Sequence, residues 1–175
     1  MASVWTRTFY PREDGVAFDR VVFFSDAVFA IALTLAAVEI GLPDVQGDAN
    51  SAGALWEAVQ DKVPALTGFL VAFIWVAIYW RANHRFVMTL RGMDARYVLA
   101  TIVYLALIAL LPVPAQMLGE YWGNPLAVSL FAVYASAVSG MEVVLIVVAL
   151  RGRLFVAPPD RPFARQLILG SLSPM

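Results

Sequence analysis

The chain has 175 residues, of which 61% are hydrophobic and only 14% are charged, whereas soluble domains carry about 45–50% apolar and about 25% charged residues. So few charges exclude a soluble enzyme, a disordered chain and a basic nucleic-acid-binding protein, and a net charge of −1 provides no field that would attract nucleic acid. The sequence has no cysteine and one histidine, His84, which excludes disulfides, thiol nucleophiles and metal sites built from cysteine or several histidines.

Four apolar stretches are long enough to cross a bilayer, which requires about 20 mostly apolar residues per helix. They run over residues 18–42, 64–84, 95–113 and 125–150. Pro64 and Pro125 suit the first turn of a helix, where a missing N–H has little effect, and Pro112 and Pro114 end or bend the third span. The predicted fold class is therefore an all-α, polytopic membrane helix bundle that forms one transmembrane domain.

The segment SAGALWEAVQDKV, which precedes the second span, has its own pattern. Asn50 or Ser51 is a candidate N-cap, and Leu55, Trp56 and Val59 lie on one face of a helix. This pattern predicts a short amphipathic helix at the membrane interface or the start of one long, kinked second helix. A simple loop is an equal alternative.

The last residues of the chain, 161–175, resemble the beginning of a fifth span but stop after a few apolar positions. Either they form a short interfacial tail or the sequence is cut short, and we favour truncation.

The positive charges predict the orientation. Eleven of the twelve lysine and arginine residues lie before the first span, between the second and third spans, or after the fourth, and only Lys62 lies on the other side. The positive-inside rule assigns the arginine-rich side to the cytoplasm. The sequence therefore predicts a multi-pass protein of the cell membrane with a cytoplasmic N-terminus.

Polar side chains inside a bilayer are costly, and each one is a candidate for a functional role. The first span holds the densest set: Arg20, Ser25, Asp26, Thr34 and Glu39. At about 100° per residue, Ile31, Thr34, Leu35 and Val38 form one narrow stripe, and Ser25 and Asp26 point away from it. The polar side of the helix is expected to contact protein. Periodicity alone favours ordinary lipid contact or helix packing for the aliphatic stripe.

The second span ends in YWRANHRF, where Trp80, Asn83 and His84 share one helical face. These side chains are at the same predicted membrane depth as Ser25 and Asp26, which indicates a polar network that joins the two helices. For His84 we favour a structural role over proton transfer.

Glu142 lies in the fourth span, where the sequence leaves three states open. It is protonated, paired with an arginine of another helix, or exposed in a cavity. The sequence contains no phosphate-binding glycine loop, no GxSxG, no HExxH and no TVGYG potassium filter. No enzyme is predicted, and an ion pathway in this chain would need another selectivity device.

Residues 20–26 read RVVFFSD and fit the pattern R-x-x-x-F-S-D without a departure, and the span continues as AVFAIALTLAAVEI. This run closely resembles the signature of the transmembrane protein 175 family of potassium channels in its prokaryotic form. The second helix of that family carries a similar tryptophan–asparagine–histidine pattern, which is matched here by Trp80, Asn83 and His84. The resemblance covers the four predicted spans.

The resemblance implies a potassium-selective channel that is a homotetramer, with six spans per subunit and a central pore lined by the first helix. The implied partners are other copies of this chain, the lipid bilayer and potassium ions as the permeant species. No cofactor, metal site or nucleic acid is implied. Spans five and six are absent here apart from a possible start after Arg165, which would loosen the periphery of a tetramer.

In the family, rings of bulky aliphatic side chains constrict the pore beside a layer of hydroxyl groups. Carried over by position, the constriction is formed by Ile31, Leu35 and Val38, and the hydroxyl layer by Thr34. Val38 is smaller than the leucine often found there, so its ring is expected to be wider. The implied polar network that holds the pore helix consists of Arg20, Ser25, Asp26, Trp80, Asn83 and His84.

Two other functions remain open. One is a proton-coupled secondary transporter, in which His84, Asp26 and Glu142 form a relay. The other is a non-conducting membrane scaffold, in which the aliphatic stripe of the first span faces lipid.

Overall fold

The computed structural model describes residues 9–12, 15–48 and 50–157. The predicted tail or fifth span at residues 161–175 lies outside the described residues. The elements, in chain order, are β1 (Phe9–Pro11), α1 (Val16–Val38), α2 (Ala52–Gln60), α3 (Val63–Val87), β2 (Gly92–Asp94), α4 (Ala95–Leu110), α5 (Pro112–Glu120) and α6 (Pro125–Gly152).

Four helical segments in the described part of the chain are long and apolar enough to cross a membrane. They are Val16–Val38, Val63–Val87, Ala95–Glu120 and Pro125–Gly152. The third of these combines α4 and α5. The predicted fold class, an all-α bundle with four spans, is confirmed.

The ends of three helices differ from those predicted by hydropathy. The first helix ends at Val38 rather than near residue 42, because Glu39 and Ile40 form a turn and Gly41 has a φ of 63°. A glycine in this left-handed conformation ends helices without strain. The second spanning helix continues three residues beyond its predicted end, to Val87. Hydropathy shows where a chain prefers lipid, and it does not show where backbone hydrogen bonding stops.

The third span is bent rather than ended at its prolines. The α4 helix ends at Leu110, and α5 begins at Pro112 and continues to Glu120. A proline has no N–H and clashes with the preceding turn, so the helix is interrupted. The apolar segment nevertheless continues on the far side of the interruption, and it ends seven residues beyond the predicted boundary at residue 113.

The segment before the second span is a separate helix, α2, so the loop alternative is wrong. The Ser51 side chain caps it by accepting a hydrogen bond from the backbone N–H of Ala54 at 3.4 Å. A turn at Asp61 separates α2 from α3, so the two are not one continuous helix. The apolar side chains of α2, including Trp56, remain exposed, as expected for a helix at a membrane interface.

One face of α1 packs against the rest of the bundle. Within a membrane, lipid is as apolar as leucine, so helices associate through close packing of small residues and through hydrogen bonds. The α1 helix contacts α3, α4 and α5, and the ring of Phe29 lies 6.2 Å from the ring of Tyr104 in α4. The buried residues of α1 are Phe18, Ser25, Phe29, Ala32 and Ala36.

A small sheet ties the beginning of α1 to the connection between α3 and α4. β1 pairs antiparallel with β2, and Tyr10 lies opposite Met93. The Arg12 guanidinium donates a hydrogen bond to the carbonyl of Met88 at 3.0 Å. Hydropathy did not predict these strands, because three-residue strands that pair with partners more than 80 positions away have no periodic signal of their own.

Candidate functional site

The predicted stripe of α1 is exposed in the single subunit. Ile31, Leu35 and Val38 are 55%, 54% and 74% exposed. Ala32 and Ala36, on the opposite side of the same helix, are each 1% exposed. The subunit therefore buries the small-residue face of α1 and leaves the branched aliphatic face free.

Thr34 lies on the same exposed face. Its hydroxyl donates a hydrogen bond to the carbonyl of Ile31, one turn earlier, at 2.9 Å. A hydroxyl that donates to its own helix keeps its oxygen lone pairs as acceptors. Thr34 thus presents oxygen at the level of the aliphatic stripe without an unpaired donor.

The strongest polar contact between α1 and α3 joins Asp26 to Trp80. The indole N–H of Trp80 donates to Oδ1 of Asp26 at 2.9 Å. The ring of His84 stacks on the same indole, with 5.4 Å between ring centroids and 27° between planes. Within the described part of the chain, the Asp26 carboxylate therefore contacts an indole and not an arginine.

A cavity of about 100 Å³ lies between α1, α3 and α4, beside this contact. Its polar lining comprises Arg12, Asp19, Ser25, Asp26, Asn83, His84, Tyr97 and Thr101. Four of the six predicted network residues line this cavity, two from α1 and two from α3: Ser25, Asp26, Asn83 and His84. A fifth, Trp80, is joined to them by its hydrogen bond to Asp26. The sixth residue, Arg20, is exposed and has no hydrogen bond or ion pair within the part of the chain that the structure describes.

The side chains around the cavity are not all paired. Ser25 donates to the carbonyl of Val21 in its own helix at 2.9 Å. Asn83 is buried, and no other described residue forms a hydrogen bond with its amide. The Tyr97 hydroxyl is buried and likewise has no partner among the described residues. The geometry supports a polar junction between α1 and α3, centred on Asp26 and Trp80 rather than on Arg20.

A second polar layer, which the sequence did not reveal, lies between α3, α4 and α6. The Tyr104 hydroxyl donates to Oε1 of the buried Glu142 at 3.0 Å. The Tyr79 hydroxyl donates to the carbonyl of Ala135 at 2.9 Å and shares a hydrogen bond with Ser139 at 3.0 Å. Pairing with an arginine and exposure in a cavity were two of the states left open for Glu142, but in the described part of the chain it is buried and its partner is Tyr104. Tyrosines within apolar spans are a sequence signal for such a polar layer, but the sequence does not show which groups their hydroxyls contact.

Sequence reasoning also missed Gln116 in α5. Its amide nitrogen donates to the carbonyl of Ala36 in α1 at 3.3 Å. A glutamine within an apolar segment is a signal for an interhelical hydrogen bond, but the acceptor is a backbone atom 80 residues away and has no sequence signature.

The first two spanning helices and most of the third match a known protein family. A family model described as "Endosomal/lysosomal potassium channel TMEM175" matches residues 20–112. The matched segment contains Asp26, the exposed stripe of α1, Trp80 and His84.

The chain is also similar to bacterial proteins named as potassium channels. It is 31% identical to one from Streptomyces collinus over 166 residues, which is 87% of this chain and 77% of the relative. It is 30% identical to one from Chamaesiphon minutus over 152 residues, which is 84% of this chain and 70% of the relative. These relatives are described as channels and not as enzymes.

The fold resembles a solved structure. A crystal structure of a lysosomal potassium-selective channel TMEM175 homolog from Chamaesiphon minutus superimposes with a TM-score of 0.72 and 25% sequence identity. The match covers 90% of this chain and 81% of that chain.

Proposed function

This chain belongs to the TMEM175 family of potassium channels, and from that premise we propose where its pore lies and which residues line it. The proposed function is that of one subunit in a homotetrameric, potassium-selective channel of the cell membrane. The central pore is lined by α1 of each subunit, and the N-terminus is cytoplasmic.

The exposed stripe of α1 carries the proposal. Ile31, Leu35 and Val38 are more than half exposed, and Thr34 lies among them. A single helix cannot enclose a pathway, but copies arranged around an axis turn one stripe on each subunit into stacked rings. If this stripe faced lipid, the hydroxyl oxygen of Thr34 at its centre would have no polar group to bind.

The proposed constriction is hydrophobic. Aliphatic side chains that converge on an axis form a neck that excludes water and blocks ions without a charged plug. The Val38 ring is wider than the others because valine is the smaller side chain. Thr34 supplies oxygen acceptors beside the neck, where a cation would lose part of its hydration shell.

The polar junction at Asp26 and Trp80 supports this arrangement by fixing the rotation of α1. Because the stripe is narrow, a rotation of a few tens of degrees would move Ile31 or Leu35 off the axis. An interhelical hydrogen bond between α1 and α3 resists that rotation. We propose that channel opening involves a small rotation of α1 against this junction.

Cysteine scanning of α1 tests the pore assignment, and the absence of native cysteine in the chain makes the labelling specific. Single cysteines at Ile31, Leu35 and Val38 are modified with a charged methanethiosulfonate reagent while potassium current is recorded in a planar bilayer. We expect modification to block the current. The matched control is a cysteine at Val133, which is 69% exposed and lies in α6 rather than α1. Treatment of this variant with the reagent is expected to leave the current unchanged.

The same recordings separate the competing functions. Saturable potassium flux coupled to protons would favour the transporter that uses His84, Asp26 and Glu142. Reconstituted protein that passes no current in a potassium gradient would favour the scaffold. Block at Val133 equal to block at Leu35 would overturn the assignment of α1 to the pore.

A further inference from the structure

We infer that Gln116 of α5 is a positioning residue that fixes the C-terminal part of α1, and with it the constriction residues Leu35 and Val38. The inference rests on the proposed function, because it assumes that α1 lines the pore. Gln116 would have no contact with ions and would act only through the backbone of α1.

The first step concerns the end of α1. In a regular α-helix, the N–H of Ile40 would bond to the carbonyl of Ala36, four residues earlier. Here the N–H of Ile40 bonds instead to the carbonyl of Ala37 at 3.3 Å, as the helix tightens into its final turn. The carbonyl of Ala36 is thus left without its helical donor.

The second step identifies the replacement donor. The Gln116 amide nitrogen lies 3.3 Å from the Ala36 carbonyl oxygen. Ala36 is 1% exposed, so water does not reach this residue. A buried backbone carbonyl without a partner in a membrane is costly, and Gln116 is the described side chain that pairs it.

The third step explains why Gln116 is held in place. A Cβ atom added to Gly68 of α3 would lie 2.7 Å from Oε1 and 2.8 Å from Cα of Gln116. A Cβ atom on Gly119 of α5 would overlap the backbone of Gly68. The two glycines therefore let α3 and α5 approach backbone to backbone, and this contact places the Gln116 amide against α1.

The fourth step concerns position along the pore helix. The junction at Asp26 and the bond at Ala36 are ten residues apart, or about 15 Å along α1. Leu35 and Val38 flank Ala36, whereas Ala27 is adjacent to Asp26. Among the described residues, α1 thus accepts two side-chain hydrogen bonds from other helices, and Gln116 donates the one beside the constriction.

The test uses the Leu35→Cys protein with Gln116 intact, with Gln116→Met, and with Gln116→Glu. Methionine keeps the length of the side chain and removes the donor. Glutamate donates only when its carboxyl group is protonated. The measurements are the rate of methanethiosulfonate modification, the potassium current, and the assembly state by size exclusion. Ala27→Cys, in the same three backgrounds, serves as the matched control.

In Gln116→Met we expect the modification rate at position 35 to change by about threefold, the size expected for loss of one interhelical hydrogen bond in a membrane. The rate at position 27 is expected to change less. Because the reagent reacts with the thiolate, every rate is divided by the rate of Leu35→Cys with Gln116 intact at the same pH. The normalised rate of Gln116→Glu is expected to equal one at acidic pH and the methionine value at alkaline pH, which a purely structural role would not produce.

The outcomes distinguish the two proposals. If, at each pH, modification at position 35 blocks current at the same rate in all three backgrounds, the positioning role is overturned and the pore assignment stands. If modification at position 35 fails to block current when Gln116 is intact, both the pore assignment and this inference are overturned. If Gln116→Met does not assemble, the normalised rate of Gln116→Glu decides, and a normalised rate that is the same at both pH values overturns the inference.

Discussion

Trp80 donates its indole N–H to the carboxylate of Asp26 at 2.9 Å, and this bond joins the second spanning helix to the helix that carries the exposed aliphatic stripe. The stacked ring of His84 covers one face of the same indole. Because Asp26 lies on the side of α1 opposite Leu35, the bond holds the exposed stripe in one orientation. Under the proposed function, this junction orients α1.

Removing the acceptor in this junction should weaken the attachment of α1. Asp26→Leu leaves the indole N–H of Trp80 without a partner and is expected to destabilise the protein by about 1 kcal/mol. Asp26→Asn keeps an acceptor oxygen and is expected to have a smaller effect. Unfolding of the detergent-solubilised protein by SDS measures both. Asp19→Leu, which removes an exposed carboxylate two turns earlier, is the control, and an equal loss in all three variants would contradict the role of the bond.

Placing a polar group at the proposed neck should make it easier to wet. Ile31→Asn is expected to weaken the discrimination of potassium over sodium, because water and hydrated ions then pass the ring at lower free energy. The measurement is the reversal potential under bi-ionic conditions, which should move towards zero. Ile31→Val keeps an aliphatic ring and serves as the control. An unchanged reversal potential in Ile31→Asn would remove Ile31 from the pore lining.

Much of the fold could be predicted because the bilayer imposes simple requirements. A spanning helix needs a long apolar run, so four runs predicted four spans. A polar residue within a run needs a partner, so Asp26, Trp80 and His84 stood out. The motif around Asp26 also pointed to the TMEM175 family, and the family assignment is confirmed.

The remainder depended on contacts that a sequence does not encode locally. A helical wheel gives the face of Asp26 but not its partner, Trp80. Arg20 was placed in the same network by the family resemblance, and it has no partner within the described part of this subunit. Glu142 was visible as a buried acid, but its partner Tyr104 is 38 positions away. The bond from Gln116 ends on a backbone atom, which no residue pattern marks.

The Tyr104–Glu142 contact predicts how position 142 responds to substitution. Glu142→Gln keeps an acceptor for the Tyr104 hydroxyl and removes the acid, so a change in stability of less than about 1 kcal/mol is expected. Glu142→Leu leaves that hydroxyl buried and unpaired, which typically costs about 1–3 kcal/mol. Thermal melting of the purified protein distinguishes them. Equal losses in the two variants would show that the acid itself, and not its acceptor oxygen, is required.

Removal of the unpaired Tyr97 hydroxyl is expected to have the opposite effect on stability. A buried polar group without a partner lowers the stability of the folded state, and the hydroxyl of Tyr97 has none among the described residues. Tyr97→Phe is therefore expected to raise stability by about 1 kcal/mol. Tyr104→Phe, which removes a paired hydroxyl, is the matched comparison and is expected to lower it. A loss of stability in Tyr97→Phe would reveal a partner for that hydroxyl.

The close crossing of α3 and α5 gives the last prediction. A methyl group at Gly119 would overlap the backbone of Gly68, and two backbones cannot yield as a flexible side chain can. Gly119→Ala must therefore push α5 away from α3, and we expect a loss of about 1–3 kcal/mol, the usual effect of overpacking. The displacement also withdraws Gln116 from Ala36, so the modification rate of a cysteine at Leu35 should change together with stability. Gly140→Ala is the control, because a Cβ atom there would meet nothing within 4 Å. If Gly119→Ala melts at the same temperature as Gly140→Ala and leaves the modification rate unchanged, the glycine contact does not transmit its geometry to α1.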